Sequence, residues 1–541
     1  MVTRKNKGFL KITHTMKNIL RSLFVTILCL IVADASFARE VQKSGTKSTN
    51  TIKETAAGCE PGSTYKYLDI GNVRTLIYSY GNGWFLENAE YEIPKGSKKM
   101  SMFSMSLWIG GIDVNNNLKL AAYRFGQGPT IAPAHTKNDF WPGPLTIDGT
   151  AAVDAVTCAA YDKLFPMTRA EVQEYLAWWN AQAEYPNYQI PKTIADWPAH
   201  GDPSKGQAYY LAPFFDSNGD GDYHPEDGDY PYYDLSNELC PRNLKPGELI
   251  RRAKLRNGEA DDTLGILVDQ VLKGDQTLWN VFNDKGNIHS ETQGDPIGME
   301  IRAQAFAFAT NDEINNMTFY SYEIINRSTY TLTGTFFSQW VDCDLGYAKD
   351  DFVGCDVNRG LGYAYNGKPI DGSGQLEAYG AHTPAVGVDF FQGPYMDPDS
   401  RDNPKFLGTL ADCQRIAGSE FKEMDQMAIN GVNFGDGIVD NERYGMRRFV
   451  YHNNGGPNYM SDPAYAPEYY LLLRGIWKDG TKMKYGANAH FSTGAYGPDC
   501  DFMFPGNSNL CDWGTGFLPP NGEKYWTEET AGNNPDDRRF M

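Results

Sequence analysis

The sequence predicts a mainly β protein: antiparallel β-sandwiches with long Gly- and Asp-rich loops and a small helical insertion. Three observations carry that prediction. Aromatic residues make up 13% of the chain, with 33 Tyr, beside 55 Gly, a bias toward sheet broken by many turns. The clearest apolar stretches are short and alternate with period two. Between them lie acidic runs of Asp, Asn and Gly, the residues that build turns. With 541 residues, 41% of them hydrophobic, the chain is long enough for more than one core.

The start reads as an export signal over residues 1–38. Lys and Arg precede an apolar run over 23–33, and Ser36-Phe37-Ala38 offers the small residues that a signal peptidase reads, with cleavage after Ala38. Met16 is an alternative start. Cys29 lacks a preceding small residue, which argues against lipoprotein processing. Residues 39–58 form a polar leader. No later apolar run reaches about 18 residues, so no transmembrane segment is expected in the mature chain. The expected location is extracellular or at the cell surface.

Residues 59–150 read as an N-terminal β region. Strands are expected at 73–78 and 101–113, where Phe103, Met105 and Leu107 make one face more apolar. A turn at 113–117 leads to a return strand over 118–123. Residues 151–206 form the helical insertion. Thr168-Arg169-Ala170-Glu171 is a capping box opening a helix over 170–183, with Val172, Tyr175, Leu176 and Trp179 on one stripe. Trp178 and Trp179 offer a sugar platform, but packing onto a sheet is the favoured reading. A calcium-loop segment covers 207–240 and an exposed connecting region 241–295. Core sandwich strands follow at 296–370, where 303–309, 317–325 and 332–341 read as an antiparallel meander. Residues 371–541 are loop-rich, with a strand expected at 471–477.

The most specific motif runs from Phe215 to Pro231. Taking Asp216 as position 1 of a calcium loop puts Asn218 at position 3, Asp220 at 5, Gly221 at 6, Asp222 at 7 and Asp227 at 12. Calcium takes roughly 6–8 oxygens at about 2.3–2.6 Å, and the glycine permits the turn that gathers them. Position 12 is Asp rather than Glu, and extended segments flank the loop instead of paired helices. The competing reading is a solvated acidic turn. A second candidate set is Asp342, Asp344, Asp350 and Asp351. Period-two alternation places Asp342 and Asp344 on one face and Cys343 on the other; the competing reading is a polar strand end stapled by Cys343–Cys355. Residues 433–442 resemble half of a calcium loop, with Val432 where the first ligand belongs.

The net charge of −19 suits calcium and argues against nucleic acid, which needs clustered Lys and Arg. Eight cysteines remain after the signal, an even number that suggests disulfides in an exported protein. Cys343 with Cys355 and Cys500 with Cys511 are neighbours in sequence, but the connectivity stays open. No paired Cys/His spacing points to zinc. The scattered His residues and the absence of HExxH and GxSxG motifs give no catalytic signature.

Residues 91–97 (YEIPKGS), 106–113 (SLWIGGID), the 215–231 loop, 340–356 and 534–540 (NPDDRRF) together resemble a family of large exported proteins of Bacteroidota. Many of its members carry a C-terminal sorting domain for type IX secretion; none lies within the sequence up to Met541, and the expectation is either an incomplete chain or a member released differently. The resemblance implies export through the secretion machinery and carries no assigned biochemical activity. The expected role is a secreted or surface, calcium-binding structural or adhesive protein, its partner an extracellular glycan or a cell-surface protein. The alternative is a carbohydrate-active protein, either a hydrolase or a glycan-binding module.

Overall fold

A computed structural model describes residues 57–86, 88–126, 137–233, 272–405, 431–509 and 525–541. The export signal, the leader up to residue 56, Cys240, Cys413 and Cys511 lie outside the described residues. The protein is mainly β, and every pairing between its named strands is antiparallel.

Strands β1 (Tyr65–Leu68), β2 (Arg74–Tyr78), β3 (Tyr91–Glu92) and β4 (Met100–Met102) pair in chain order. The predicted hairpin follows as β5 (Ser104–Asp113) and β6 (Leu118–Ala121). Asp113 builds its turn: its Oδ1 accepts the Asn115 and Asn117 amides at 2.9 and 2.8 Å. Asn116 takes φ +64°, a conformation Asn tolerates.

Next come β7 (Trp141–Pro142), helix α1 (Ala155–Ala160), β8 (Phe165–Thr168), α2 (Arg169–Asn180) and α3 (Lys192–Ala195). The capping box forms: the Thr168 side chain accepts the Glu171 amide, and Glu171 Oε2 accepts the Thr168 amide at 2.9 Å. Val172 and Tyr175 are fully buried. Trp178 stacks on Tyr188, and Trp179 lies against Gly228, so both tryptophans pack within the protein.

Strands β9 (Phe214–Phe215) and β10 (Tyr230–Pro231) flank the acidic loop. A second large sheet contains β11 (Gln276–Asn283), β12 (Met299–Ala307) and β13 (Thr318–Asn326), with β7 and β8 also paired to β11. Strand β14 (Leu332–Cys343) pairs with β5. Three strands, β15 (Asp351–Asp356), β16 (Leu361–Asn366) and β17 (Val386–Asp389), form their own sheet. Strand β18 (Tyr451–Asn453), helix α4 (Ala466–Leu473) and β19 (Arg538–Phe540) follow among the described residues; the sheet order there is β18-β19-β14-β5-β6.

The two large sheets share a core. Leu76 and Tyr78 of β2, Leu107 and Ile109 of β5, Phe282 of β11 and Met299, Ile301 and Ala303 of β12 belong to one buried cluster. Burying one large apolar side chain stabilises the fold by about 1.5–3 kcal/mol, so this contact fixes the layering.

Three expectations need correction, and one open cysteine pairing is decided. Strand β14 does not continue the meander of β12 and β13 but crosses to β5. The region taken as exposed connection holds β11, the centre of the second sheet; its Asn280 and Asn283 disguise it by being polar yet buried, bonded to the carbonyls of Ser79 and Gly143 at 2.8 Å. The strand expected at 471–477 does not form: residues 471–473 are the end of helix α4, whose apolar run fits either period, and a turn and an isolated bridge at Ile476 follow. The helix packs on β5 where Gly110 leaves room: a Cβ there would lie 3.0–3.3 Å from Leu120, Tyr470 and Leu473. Because α4 covers that face, both faces of β5 are buried, and Trp108 stacks on Trp340 at 5.7 Å. Finally, Cys343 and Cys355 do not pair. Each buried thiol donates to a carbonyl, of Arg538 at 3.2 Å and of Met503 at 3.3 Å.

Cys59 and Cys158 form a disulfide across a separation of 99 residues. Closing a loop of that length stabilises a fold by about 3–5 kcal/mol. A Cys59→Ser/Cys158→Ser double variant should lower the urea midpoint accordingly, with the m-value the control for a changed unfolded state.

Candidate metal centres

The 215–231 stretch is a hairpin tip. Asp216 is 6% exposed, and its carboxylate accepts the Gly219 amide on Oδ1 at 2.6 Å and the Gly221 amide on Oδ2 at 2.9 Å. Both glycines need positive φ, +76° and +85°, which bends the chain round Asp216. Asn218 and Asp220 bond each other, and Asp220 Oδ1 accepts the Asp222 amide at 2.8 Å. The closing position differs from expectation. Asp227 sits exposed in the turn Pro225–Asp227, and the loop is closed by Asp229, fully buried. Asp229 accepts the Ser217 and His224 amides at 2.7 and 2.8 Å. Burial, with Asp216 and Asp220 nearby, pushes its carboxyl above the usual range. The loop also anchors the helical insertion: Tyr175 donates to the Pro225 carbonyl and Tyr223 to the Ile194 carbonyl, both at 2.7 Å.

The 433–442 turn repeats this frame with a ligand from elsewhere. Asp402, not Val432, accepts the Gly435 and Gly437 amides at 2.8 and 2.7 Å, and these glycines have φ +64° and +87°. Asp436 accepts the Ile438 amide, as Asp220 accepts that of Asp222. Buried Glu442 accepts the Asn403 amide, as Asp229 accepts that of Ser217. One loop is continuous in sequence; the other is assembled from two segments.

The second candidate set forms where β19 enters the sheet beside β14. Asp342 pairs with Arg539 and Cys343 with Arg538 in register, which brings Asp537 to the end of β14. Carboxylate oxygens of Asp342, Asp344 and Asp537 all lie within 4.8 Å of one another. Arg539 reaches Asp342 Oδ2 at 3.2 Å and Asp537 Oδ1 at 2.9 Å, and Lys349 reaches Asp537 Oδ2 at 3.4 Å. Asp342 Oδ1 is buried with no hydrogen-bond partner. Burial, then the Asp537 charge, pushes the Asp344 carboxyl up to about 7, against the opposing pull of Arg539 and Lys349.

Asp350 and Asp351 do not join that trio. They lead into β15, in a different sheet, where Asp351 accepts the Leu345 amide and Asp350 the Gly372 amide, each at 3.0 Å. Burial raises both carboxyls. Asp371, absent from the sequence reading, holds the neighbouring loops through the Tyr347 and Tyr379 amides at 2.8 and 2.5 Å. Asp229, Asp402 and Asp537 were likewise missed. Asp229 lies two places beyond the expected closing residue, whereas Asp402 and Asp537 reach their sites only through tertiary contact.

A carboxyl raised in the folded protein takes up a proton on folding. Its contribution to stability is therefore greatest below the ordinary Asp value, about 4, and is lost as pH rises through the folded value. In metal-free buffer the urea midpoint should fall between pH 4 and 7, and Asp344→Asn should flatten that fall. Denaturation curves across pH 4–8 check it.

No family model, curated protein or solved structure matches this chain, so the functional reading rests on the geometry of these centres.

Proposed function

We propose that this is an exported, calcium-stabilised protein with a structural or adhesive role outside the cell. The observation that carries the reading is the loop frame built twice: Asp216 with Gly219 and Gly221, and Asp402 with Gly435 and Gly437. In each, one carboxylate shapes the backbone while a second, Asp220 or Asp436, is held beside it. Acidic oxygens gathered this way repel one another until a cation neutralises them, and hard oxygen donors select calcium. The ion's role is mechanical, since the 216–229 loop is pinned to α2 and α3 through Tyr175 and Tyr223. The signal-like start and the Cys59–Cys158 disulfide favour an oxidising, extracellular setting.

A second reading, glycan binding, is favoured by one surface feature. Tyr209 and Tyr210 are 38% and 55% exposed, and the His200 ring stacks on Tyr209 at 4.2 Å. This aromatic shelf borders the acidic loop, because a Cβ on Gly221 would touch the Tyr210 hydroxyl. Rings of this kind stack on sugar faces.

Calcium added to chelator-treated protein should raise its melting temperature; at a hundredfold excess over Kd one site contributes about 2.7 kcal/mol. Asp216→Asn/Asp220→Asn should remove the first loop's share of that rise, and a wild-type melting curve indifferent to calcium would refute the reading. On a glycan array, loss of signal in Tyr209→Ala/Tyr210→Ala would favour the second reading, and an array blank for the wild type would dismiss it.

A further inference from the structure

We propose that Asp342, Asp344 and Asp537 together hold a divalent cation of calcium's class, which clamps the strand Arg538–Phe540 onto β14. The identity of the ion rests on the calcium reading above; its place does not.

Oxygens of the three carboxylates lie within 4.8 Å of one another, close enough to share a point at roughly 2.3–2.6 Å, calcium's bond length. A separate observation points to a ligand. Asp342 is 2% exposed, Arg539 meets its Oδ2, and its Oδ1 has no donor. A buried carboxylate oxygen is ordinarily supplied with one. The local cations do not make up the difference. Arg539 is divided among Asp342, Asp537 and Asp462, at 3.2, 2.9 and 3.7 Å, and half-exposed Lys349 between Asp536 and Asp537, at 3.5 and 3.4 Å.

The consequence is structural. Strand β19 is three residues long and lies between β14 and β18. Two of the ligands belong to β14 and the turn after it, and the third precedes β19. An ion joining them adds a bond across the seam that the short ladder lacks.

The test uses the full chain. Bound calcium is measured by elemental analysis after dialysis against calcium buffer, for wild type, Asp344→Asn and Asp220→Asn. Hydrogen exchange of residues 538–540 is followed in the wild type with and without chelator. The proposal expects Asp344→Asn to carry one ion fewer than wild type, and protection of 538–540 to fall at least tenfold on chelation. An Asp344→Asn chain that binds as many ions as wild type overturns it, and so does exchange at 538–540 that ignores calcium. Unchanged binding in Asp220→Asn strikes the loop reading alone. Should Asp344→Asn fail to fold, the wild-type exchange comparison decides.

Discussion

A carboxylate taken out of water must be given hydrogen-bond donors in return, and this protein supplies them largely from the backbone amides of its loops. Asp284 is fully buried and accepts the Ile297, Gly298 and Met299 amides at 2.5, 2.8 and 2.7 Å. Asp139, also fully buried, gathers the Ala122, Glu291 and Thr292 amides and the Thr292 hydroxyl. Asp162 ties Ser63 and Thr64 to Ser79, and Glu528 accepts the Val353 amide. These acids do for the irregular segments what ladder hydrogen bonds do for strands. Among the described residues, these buried acids fix segments that lie outside helix and sheet.

The cations that enter the interior serve the same economy of charge. Arg124 is 5% exposed and meets Asp462 at 2.8 Å and Glu291 at 3.5 Å, while its Nε donates to the Tyr469 hydroxyl. His452 accepts from the Trp340 indole on Nε2, so Nδ1 carries the proton donated to Asp462. Burial keeps that ring neutral, and Asp462, with His452 and Arg539 beside it, stays ionised well below the usual range. This network welds α4, β14 and β18 together. The end of β14 departs from the pattern, because three carboxylates meet there around donors already shared.

How much was legible depended on how far apart the partners lie. The capping box at Thr168 and Glu171, the Asp113 turn and the Asp216 frame are each closed within a few residues, and each formed as its spacing dictates. Strand β11 was hidden because buried asparagines imitate an exposed segment, and α4 because an unbroken apolar run carries no period. The 433–442 turn looked incomplete for a different reason: its first carboxylate, Asp402, is contributed by another segment.

Sequence alone determined the mainly β character, the acidic loops and the glycine turn at Gly221 in the first of them, since dihedral preference and short-range hydrogen bonds act between neighbours. Tertiary structure decided which sheet β14 joins, which cysteines pair and which acids gather, because those outcomes depend on burial that no single segment sees. Asp537 shows the division most plainly: nothing beside it in the chain marks it as a neighbour of other acids, and only the insertion of Arg538–Phe540 between β14 and β18 brings it to Asp342 and Asp344.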